Sequence, residues 1–222
     1  MQRTELLELE KAGVRFQQPF DVVRMFESEI AKLTGAPYAV ATDCCTHAIE
    51  LCLRYLGIRG TVRVPTRTYP SVPMTLIKLG IEIEWSSETW KDEYALSPSP
   101  VVDSSLLLAP KMFRSGLFQC LSFHTKKHLP IGRGGMILTD NAAAADWLRK
   151  SAYDGRDLDK LWKDDPIEQI GYHYYMTPED AARGLLLLRG LDPQRKHSLG
   201  GSDNYPDISQ WPVFKKREIK CQ

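Results

Sequence analysis

Ser122-Phe-His-Thr-Lys-Lys-His-Leu129 is the most informative stretch of the chain, and Gly132-Arg-Gly-Gly135 and the apolar Met136-Ile-Leu138 follow it directly. The hydroxyl of Ser122 and the amine of Lys127 lie five residues apart on a predicted loop that leads into a strand. A lysine in this position is suited to holding a carbonyl cofactor covalently, and the serine to hydrogen bonding with the cofactor's phosphate. The alternative is a solvated basic turn, which is the commoner meaning of Lys-Lys-His on a loop.

Three further residues follow predicted strands and are candidates for the same site. Asp103 ends an apolar run, Tyr69 lies just beyond a predicted strand, and Thr46 begins an apolar-periodic helix. Ligands of open α/β sheets bind beyond the carboxyl ends of the strands, and the first turn of a helix binds anions. Each residue also has a purely structural interpretation: a turn cap for Asp103, a half-buried packing residue for Tyr69 and an N-cap for Thr46.

Strands and helices alternate along the chain as they do in βαβ units, which predicts an α/β fold with a parallel sheet. Apolar periodicity predicts a helix over residues 21–33 that Gly35 ends. Thr177-Pro-Glu-Asp180 is a capping box that opens a late helix. The other predicted elements are strands at 38–41, 62–64, 81–85, 101–102, 118–123 and 136–139, and helices over 46–56, over 70–80 and after Asn141.

The length of 222 residues and the hydrophobic content of 43% are sufficient for one main domain. We place an α/β domain, with an N-terminal helix, at residues 1–191 and a vestigial C-terminal tail at residues 192–222. Residues 198–204 are rich in serine and glycine, so we expect a flexible linker there.

The composition excludes several classes of function. A net charge of +1 gives no reason to expect nucleic acid or an anionic membrane as a partner. No apolar run has the length of a transmembrane helix, and residues 1–5 are too charged for a signal peptide, so a cytoplasmic location is expected. Five cysteines, two of them adjacent at Cys44 and Cys45, are expected to be reduced. The histidines lack metal-ligand spacing, so no metal site is expected.

Five segments, taken in order, resemble motifs of the DegT/DnrJ/EryC1 family of sugar-nucleotide aminotransferases, which are pyridoxal 5′-phosphate (PLP) enzymes of fold type I. The family's SGTAAL, VPSFTF, EDAAQ, SFHPTKNLTTGEGGMVVT and GYNYRMTDIQAAIGLAQL are similar to residues 44–49, 64–69, 102–106, 122–139 and 171–188. Three positions depart from the pattern: Cys45 replaces a glycine, Leu106 a glutamine and Arg133 a glutamate.

The resemblance implies a PLP site in which Lys127 forms the internal Schiff base and Asp103 pairs with the pyridinium nitrogen. A carboxylate in that position keeps the ring protonated, so that the ring can accept electrons from the substrate carbon. The other cofactor-binding positions that the resemblance implies are Thr46, with the backbone N–H groups of His47 and Ala48, and Ser122 at the phosphate, and Tyr69 stacked on the ring.

The fold that the resemblance implies is a three-layer αβα core with a mostly parallel sheet and a reduced C-terminal part. It also implies a homodimer with shared active sites, in which His173 and Tyr175 occupy the positions expected to reach the partner subunit. The implied activity is transfer of an amino group from an amino acid, with glutamate as the expected donor, to a nucleotide-linked keto-sugar. Related sugar dehydratases replace the lysine by histidine, so Lys127 favours amino transfer.

Two alternatives remain open at this point. The first is a non-catalytic or PLP-binding-only relative that has lost the substrate domain, because family members are longer and carry a further strand-helix unit where residues 86–99 form one short connection. The second is a PLP enzyme that acts on an amino acid or on another small ketone, because no arginine can be assigned to a donor carboxylate.

Overall fold

The computed structural model describes residues 3–192 and 194–215, and within these ranges it contains seven α-helices and seven strands. The helices are α1 Thr4–Lys11, α2 Asp21–Thr34, α3 Cys45–Tyr55, α4 Ser71–Lys78, α5 Ala142–Ala152, α6 Pro178–Arg189 and α7 Pro212–Lys215. The strands are β1 Tyr38–Thr42, β2 Thr61–Pro65, β3 Glu82–Ser86, β4 Tyr94–Ala95, β5 Val101–Asp103, β6 Phe118–Ser122 and β7 Gly135–Thr139. Two short 3₁₀ helices span Trp162–Asp164 and Ser202–Asn204.

The strands form a five-stranded sheet with the order β1-β7-β6-β5-β4 and a two-stranded sheet of β2 and β3. The pairs β5-β6 and β2-β3 are parallel, whereas β1-β7, β6-β7 and β4-β5 are antiparallel. A backbone hydrogen bond from Arg63 N to Ser97 O, 2.8 Å long, joins β2 to the turn that follows β4.

The α/β class is confirmed, but the sheet is mixed and not mostly parallel as predicted. Parallel neighbours need a long crossover connection, usually a helix. No helix joins β6 to β7, only the loop 123–134 that carries the lysines, and a five-residue turn joins β4 to β5. These connections return the chain in the opposite direction, which sequence alternation alone does not reveal.

The larger sheet is covered on both faces, which gives the three-layer αβα architecture that was predicted. Along β7 the side chain of Ile137 packs with α3, α4 and α5, while Met136 and Leu138 pack with α1, α2 and α6. In β1, Val40 packs on the same face as Ile137, and Ala39 packs on the same face as Met136 and Leu138. Successive strand residues point to opposite faces, so these apolar strands support a core on each side.

The helix-end signals in the sequence are confirmed. Gly35 ends α2 with a left-handed φ of 76°, and Asn141 accepts a hydrogen bond from Ala144 N at 3.0 Å. Thr177 accepts one from Asp180 N at 3.2 Å and so caps α6. Helix α1 and strand β4 were not predicted. No helix in the described residues is long and apolar enough to cross a membrane.

Residues 198–209 form an extended segment, here called the strap, which is bound to the body of the protein. Its backbone donates from Leu199 N to Leu106 O at 3.0 Å, from Ser202 N to Trp90 O at 2.9 Å and from Ile208 N to Thr66 O at 2.9 Å. The Ile208 side chain is fully buried. The prediction of a flexible linker at residues 198–204 is therefore wrong, because serine and glycine here allow close backbone pairing. The division of the chain after residue 191 stays a prediction, and residues 193 and 216–222 lie outside the described ranges.

Gly135 permits the closest approach between the sheet and a helix in this fold. A Cβ at this position would lie 2.5 Å from the carbonyl carbon of Cys44 and 2.6 Å from Cys45 N, closer than atoms can pack. The start of β7 therefore rests directly on the first turn of α3. This contact explains Gly135, whereas its neighbour Gly134 has a φ of 159° and a Cβ there would lie 2.9 Å from Met176 Cε.

Replacing Gly135 by alanine is expected to lower the free energy of unfolding by about 2 kcal/mol, because the added methyl group forces the two backbones apart. Urea unfolding monitored by circular dichroism measures the change. Gly190→Ala is the matched control, since a Cβ there would meet nothing closer than 3.8 Å. Equal stability of the two variants would contradict the close-packing argument.

Candidate active site

A cavity of about 690 Å³ lies where β5 and β6 end and α3 begins. Its lining includes five of the predicted site residues, namely Thr46, Tyr69, Asp103, Ser122 and Lys127. A second cavity of about 430 Å³ is lined by none of them. The fold therefore brings together residues from three strand ends and the lysine loop, at the edge of the sheet where ligands bind in α/β proteins.

Asp103 is a buried carboxylate with a fixed orientation, and only 5% of its surface is exposed. Its Oδ1 accepts a hydrogen bond from Ser105 N at 2.9 Å, and its Oδ2 accepts one from the Tyr94 hydroxyl at 2.9 Å. Thr68 Oγ1 lies 2.5 Å from the Tyr94 hydroxyl and supplies the next hydrogen bond. Burial, followed by the nearby Asp103, raises the pKa of Tyr94 well above its usual value, so Tyr94 remains a donor.

Lys127 differs from its neighbour Lys126 in its surroundings. Lys127 is half-buried, and its backbone N–H donates to His124 O at 2.8 Å in a tight turn, whereas Lys126 is exposed at the rim. Burial lowers the pKa of Lys127, although Asp103 and Cys45 act in the opposite direction. An amine with a lowered pKa has a larger neutral fraction and is a better nucleophile near neutral pH.

The first turn of α3 offers hydrogen-bond donors to the cavity. Cys44 has an extended N-cap conformation and supplies no side-chain cap, and Thr46 Oγ1 lies 2.7 Å from Ser71 Oγ. Ala48 N donates to Cys44 O at 3.1 Å and Ala48 is buried, so its N–H is already used within the helix. The role predicted for Ala48 is therefore not supported, since the free N–H groups of a first turn belong here to residues 45–47.

His47 belongs to a charged cluster beside this turn and does not line the cavity. Its Nδ1 lies 2.6 Å from Asp43 Oδ1, and its ring stacks on Tyr174 at 3.6 Å. The second Asp43 oxygen accepts from Arg133 at 2.6 Å. Burial lowers the pKa of His47, but the hydrogen bonds to Asp43 and Cys44 outweigh it and raise the pKa to about 9. Arg133 thus ties the lysine loop to the turn that precedes α3.

A metal site was not predicted, yet three potential ligands lie close together in this cluster. The donor atoms of Asp43, Cys44 and His47 are within 4.8 Å of one another. Asp43 already pairs with two cations. A metal ion would also have to displace the proton that His47 holds because of its raised pKa. The ion pairs of Asp43 with His47 and Arg133 account for the close approach of these side chains.

Three departures from the family pattern, Cys45, Leu106 and Arg133, lie in the cavity wall. Leu106 is almost fully buried and presents an apolar surface where the family has a glutamine. Cys45 also lines the cavity. Burial, followed by Asp103, raises the pKa of its thiol, which therefore stays neutral. Within the described residues the cysteines are free thiols, and Cys221 lies outside them.

His173 and Tyr175 are not part of the cavity. His173 Nδ1 lies 2.9 Å from Asp154 Oδ2 on the surface. The Tyr175 ring packs against Phe20 and Tyr153, with ring centres 5.8 and 4.5 Å apart. Their predicted role concerns a partner subunit and stays a prediction.

Sequence reasoning missed three residues that shape the cavity: Ser71, Tyr94 and Tyr205. Ser71 opens α4 just as Thr46 opens α3, and a search for hydroxyls at every helix start would have found it. Tyr94 lies in the two-residue strand β4 and Tyr205 in an irregular segment, and neither carries a periodic signal, so only the three-dimensional structure reveals them.

The model of the DegT/DnrJ/EryC1/StrS aminotransferase family matches residues 3–101 and 111–202. The chain belongs to this family of aminotransferases, whose cofactor is PLP. The predicted resemblance, fold type and cofactor are thus confirmed for the family.

Among its relatives is the spore coat polysaccharide biosynthesis protein SpsC of Bacillus subtilis, 29% identical over 78% of this chain and 58% of the relative. The UDP-4-amino-4,6-dideoxy-N-acetyl-beta-L-altrosamine transaminase of Campylobacter jejuni is 20% identical over 77% of this chain and 57% of the relative. The PLP form of the sugar aminotransferase Spr1654 from Streptococcus pneumoniae superposes with a TM-score of 0.63 at 16% identity, covering 86% of this chain and 65% of that structure. The chain spans less than two thirds of each of these proteins.

The His47–Asp43 pair is expected to make stability depend on pH. Because the folded-state pKa of His47 is raised from 6.5 to about 9, the pair's contribution is complete below pH 6.5 and is lost as the pH rises through about 9. We expect the free energy of unfolding to fall by on the order of 2 kcal/mol over this interval. Urea unfolding across the interval measures it, and His47→Gln should flatten the profile. The same fall in the variant would assign it to other groups.

Proposed function

We propose that the chain is a PLP-dependent aminotransferase that moves an amino group from an amino acid, with glutamate as the expected donor, to a nucleotide-linked keto-sugar. The observation that carries this proposal is the half-buried Lys127 in the same cavity as the buried carboxylate of Asp103. Family membership supports the reaction class. The name of the Campylobacter jejuni relative supports a UDP-linked sugar.

The residues of the cavity fit PLP by their chemistry. Asp103 offers a charged, oriented carboxylate for the ring nitrogen, and Lys127 offers the amine for the aldehyde carbon. The phosphate would be held by the first turn of α3 with the hydroxyls of Thr46 and Ser122, because a helix N-terminus favours anions. Tyr69, 61% exposed at the rim, is available to cover the ring.

When bound, PLP supplies an electron sink that eases removal of a proton from the substrate carbon. Lys127 Nζ would be the group that accepts this proton and returns it, a role to which its lowered pKa is suited. Asp103 would keep the ring nitrogen protonated. The hydrogen bonds that its two oxygens accept fix this carboxylate in place. Arg133 keeps the lysine loop against α3 through Asp43.

The second candidate is a relative that binds PLP without catalysing transfer. The apolar Leu106 favours it, because the polar partner that the family places near the cofactor's phenolic oxygen is absent there. Both candidates share Lys127 and Asp103, so the response to an amino donor discriminates between them.

Adding PLP to the purified chain is expected to produce a visible absorption band that borohydride removes, with the reduced cofactor attached to Lys127 by peptide mass spectrometry. Lys127→Ala should abolish the reducible band, because no other half-buried amine lines the described cavity. Addition of glutamate should shift the band in the unmodified chain and release 2-oxoglutarate.

Lys126→Ala is the matched control and should retain the band, since Lys126 is exposed. A band that resists glutamate would favour the PLP-binding-only relative. Absence of any band in the unmodified chain would rule out the cofactor role.

The segment between α5 and α6 presents apolar side chains suited to a second copy of the chain. Leu161, Trp162 and Ile170 are 67%, 66% and 81% exposed. Exposed large apolar groups that cluster in one segment mark an interaction surface. His173 and Tyr175, the partner-subunit candidates, follow in the same segment. These observations support a homodimer with shared active sites.

Light scattering after gel filtration is expected to give the mass of a dimer for the unmodified chain. Ile170→Glu should weaken dimerisation by about a hundredfold or more, because it places a charge in an apolar contact. Leu7→Glu, on the exposed side of α1, should leave the dimer intact. A monomer in all three cases would rule out the homodimer.

A further inference from the structure

The strap, residues 198–209, forms one wall of the cavity. Leu199, Asn204 and Tyr205 line the cavity together with Asp103 and Lys127. The family match ends at residue 202, so Tyr205 and the second half of the strap lie outside the matched residues. A role for Tyr205 has to be argued from the contacts of this chain.

The strap is held rigidly enough to place a side chain. In addition to its bonds to Leu106, Trp90 and Thr66, it accepts from Asp92 N at Gly200 O, 2.8 Å away. Arg67 donates to the Tyr205 carbonyl at 3.1 Å. At Gly201 a Cβ would lie 2.1 Å from Trp90 O, so the strap fits against Trp90 only without a side chain.

The Tyr205 ring is half-buried and continues a row of aromatic rings that leads to Asp103. Its centre lies 5.8 Å from that of Trp90 with the planes 30° apart, and Trp90 lies 4.7 Å from Tyr94. Tyr94 in turn donates to the Asp103 carboxylate. Burial, followed by Asp103, raises the pKa of Tyr205 to about 12, so its hydroxyl stays neutral beside that carboxylate. The ring thus stands at the end of the cavity where Asp103 is located.

We propose that Tyr205 is a cofactor-binding residue, whose ring closes the cavity over the ring-nitrogen end of PLP and keeps water from the Asp103 carboxylate. An aromatic wall of this kind contributes apolar contact and slows escape of the bound ring. The proposal rests on the proposed function, since it takes PLP as the ligand. It assigns part of the site to the second half of the strap, which follows the residues that the family model matches.

The experiment is a titration of the full chain with PLP, read by absorption and tryptophan fluorescence, together with the rate of cofactor loss after dilution. Tyr205→Ala is expected to raise the dissociation constant at least about tenfold and to speed cofactor loss, because the wall is removed. Tyr205→Phe should stay within about threefold of the unmodified chain, because the ring carries the contact. Gly201→Ala should resemble Tyr205→Ala, because it displaces the strap from Trp90 while leaving the tyrosine in the chain.

Tyr55→Ala is the matched control, since Tyr55 packs with Phe118 and Trp147 away from the cavity. Its dissociation constant should stay within about threefold of the unmodified value even if thermal stability falls. Unchanged PLP binding in Tyr205→Ala would overturn the inference while leaving the proposed function intact. Equal weakening in Tyr55→Ala would also overturn it, since the effect would then be general destabilisation. No binding by the unmodified chain would overturn both.

Discussion

The site depends on the absence of a side chain at Gly135. Because β7 begins in direct contact with the turn before α3, the lysine loop that precedes β7 is held beside the first turn of that helix. The Arg133–Asp43 ion pair adds a second connection at the same junction. The N-terminus of α3 and a half-buried amine are thereby placed in one cavity, and a helix N-terminus favours anions. The close packing of two backbones accounts for Gly135, whereas Gly132 and Gly134 have φ angles of 120° and 159°, which favour glycine.

Those features of the fold that are encoded locally could be predicted from the sequence. Helix α2 follows from its apolar periodicity and from Gly35, and the start of α6 from Thr177 and its capping box. Lys127 and Asp103 were predicted as site residues because α/β proteins bind ligands at strand ends and loops, and both line the cavity. The same reasoning named the Ala48 N–H as one phosphate donor, although this N–H bonds to Cys44 O in the structure, since the sequence does not show which N–H groups are already hydrogen-bonded.

Those features that depend on distant segments could not be predicted. The directions of β4 and β7 follow from connections that lack helices, and the composition of those connections gives no sign of this. Tyr94 supports Asp103 from a segment interpreted as a short polar connection. Serine and glycine in residues 198–204 suggested flexibility, yet the same small residues permit the close contact at Trp90. Composition indicates the conformations that a segment can adopt in isolation. The conformations of these segments are determined by their contacts with distant parts of the chain.

The strap also affects the order in which parts of the chain can fold. Its hydrogen bonds join residues 199–208 to residues 66, 90 and 106, roughly a hundred positions earlier in the chain, and contacts of such sequence separation form late and slowly. During synthesis on a ribosome, the lysine loop and α3 emerge well before the wall that covers them. The cavity gains this wall only when the strap has been synthesised, so its final shape is a property of the finished fold and not of its core alone.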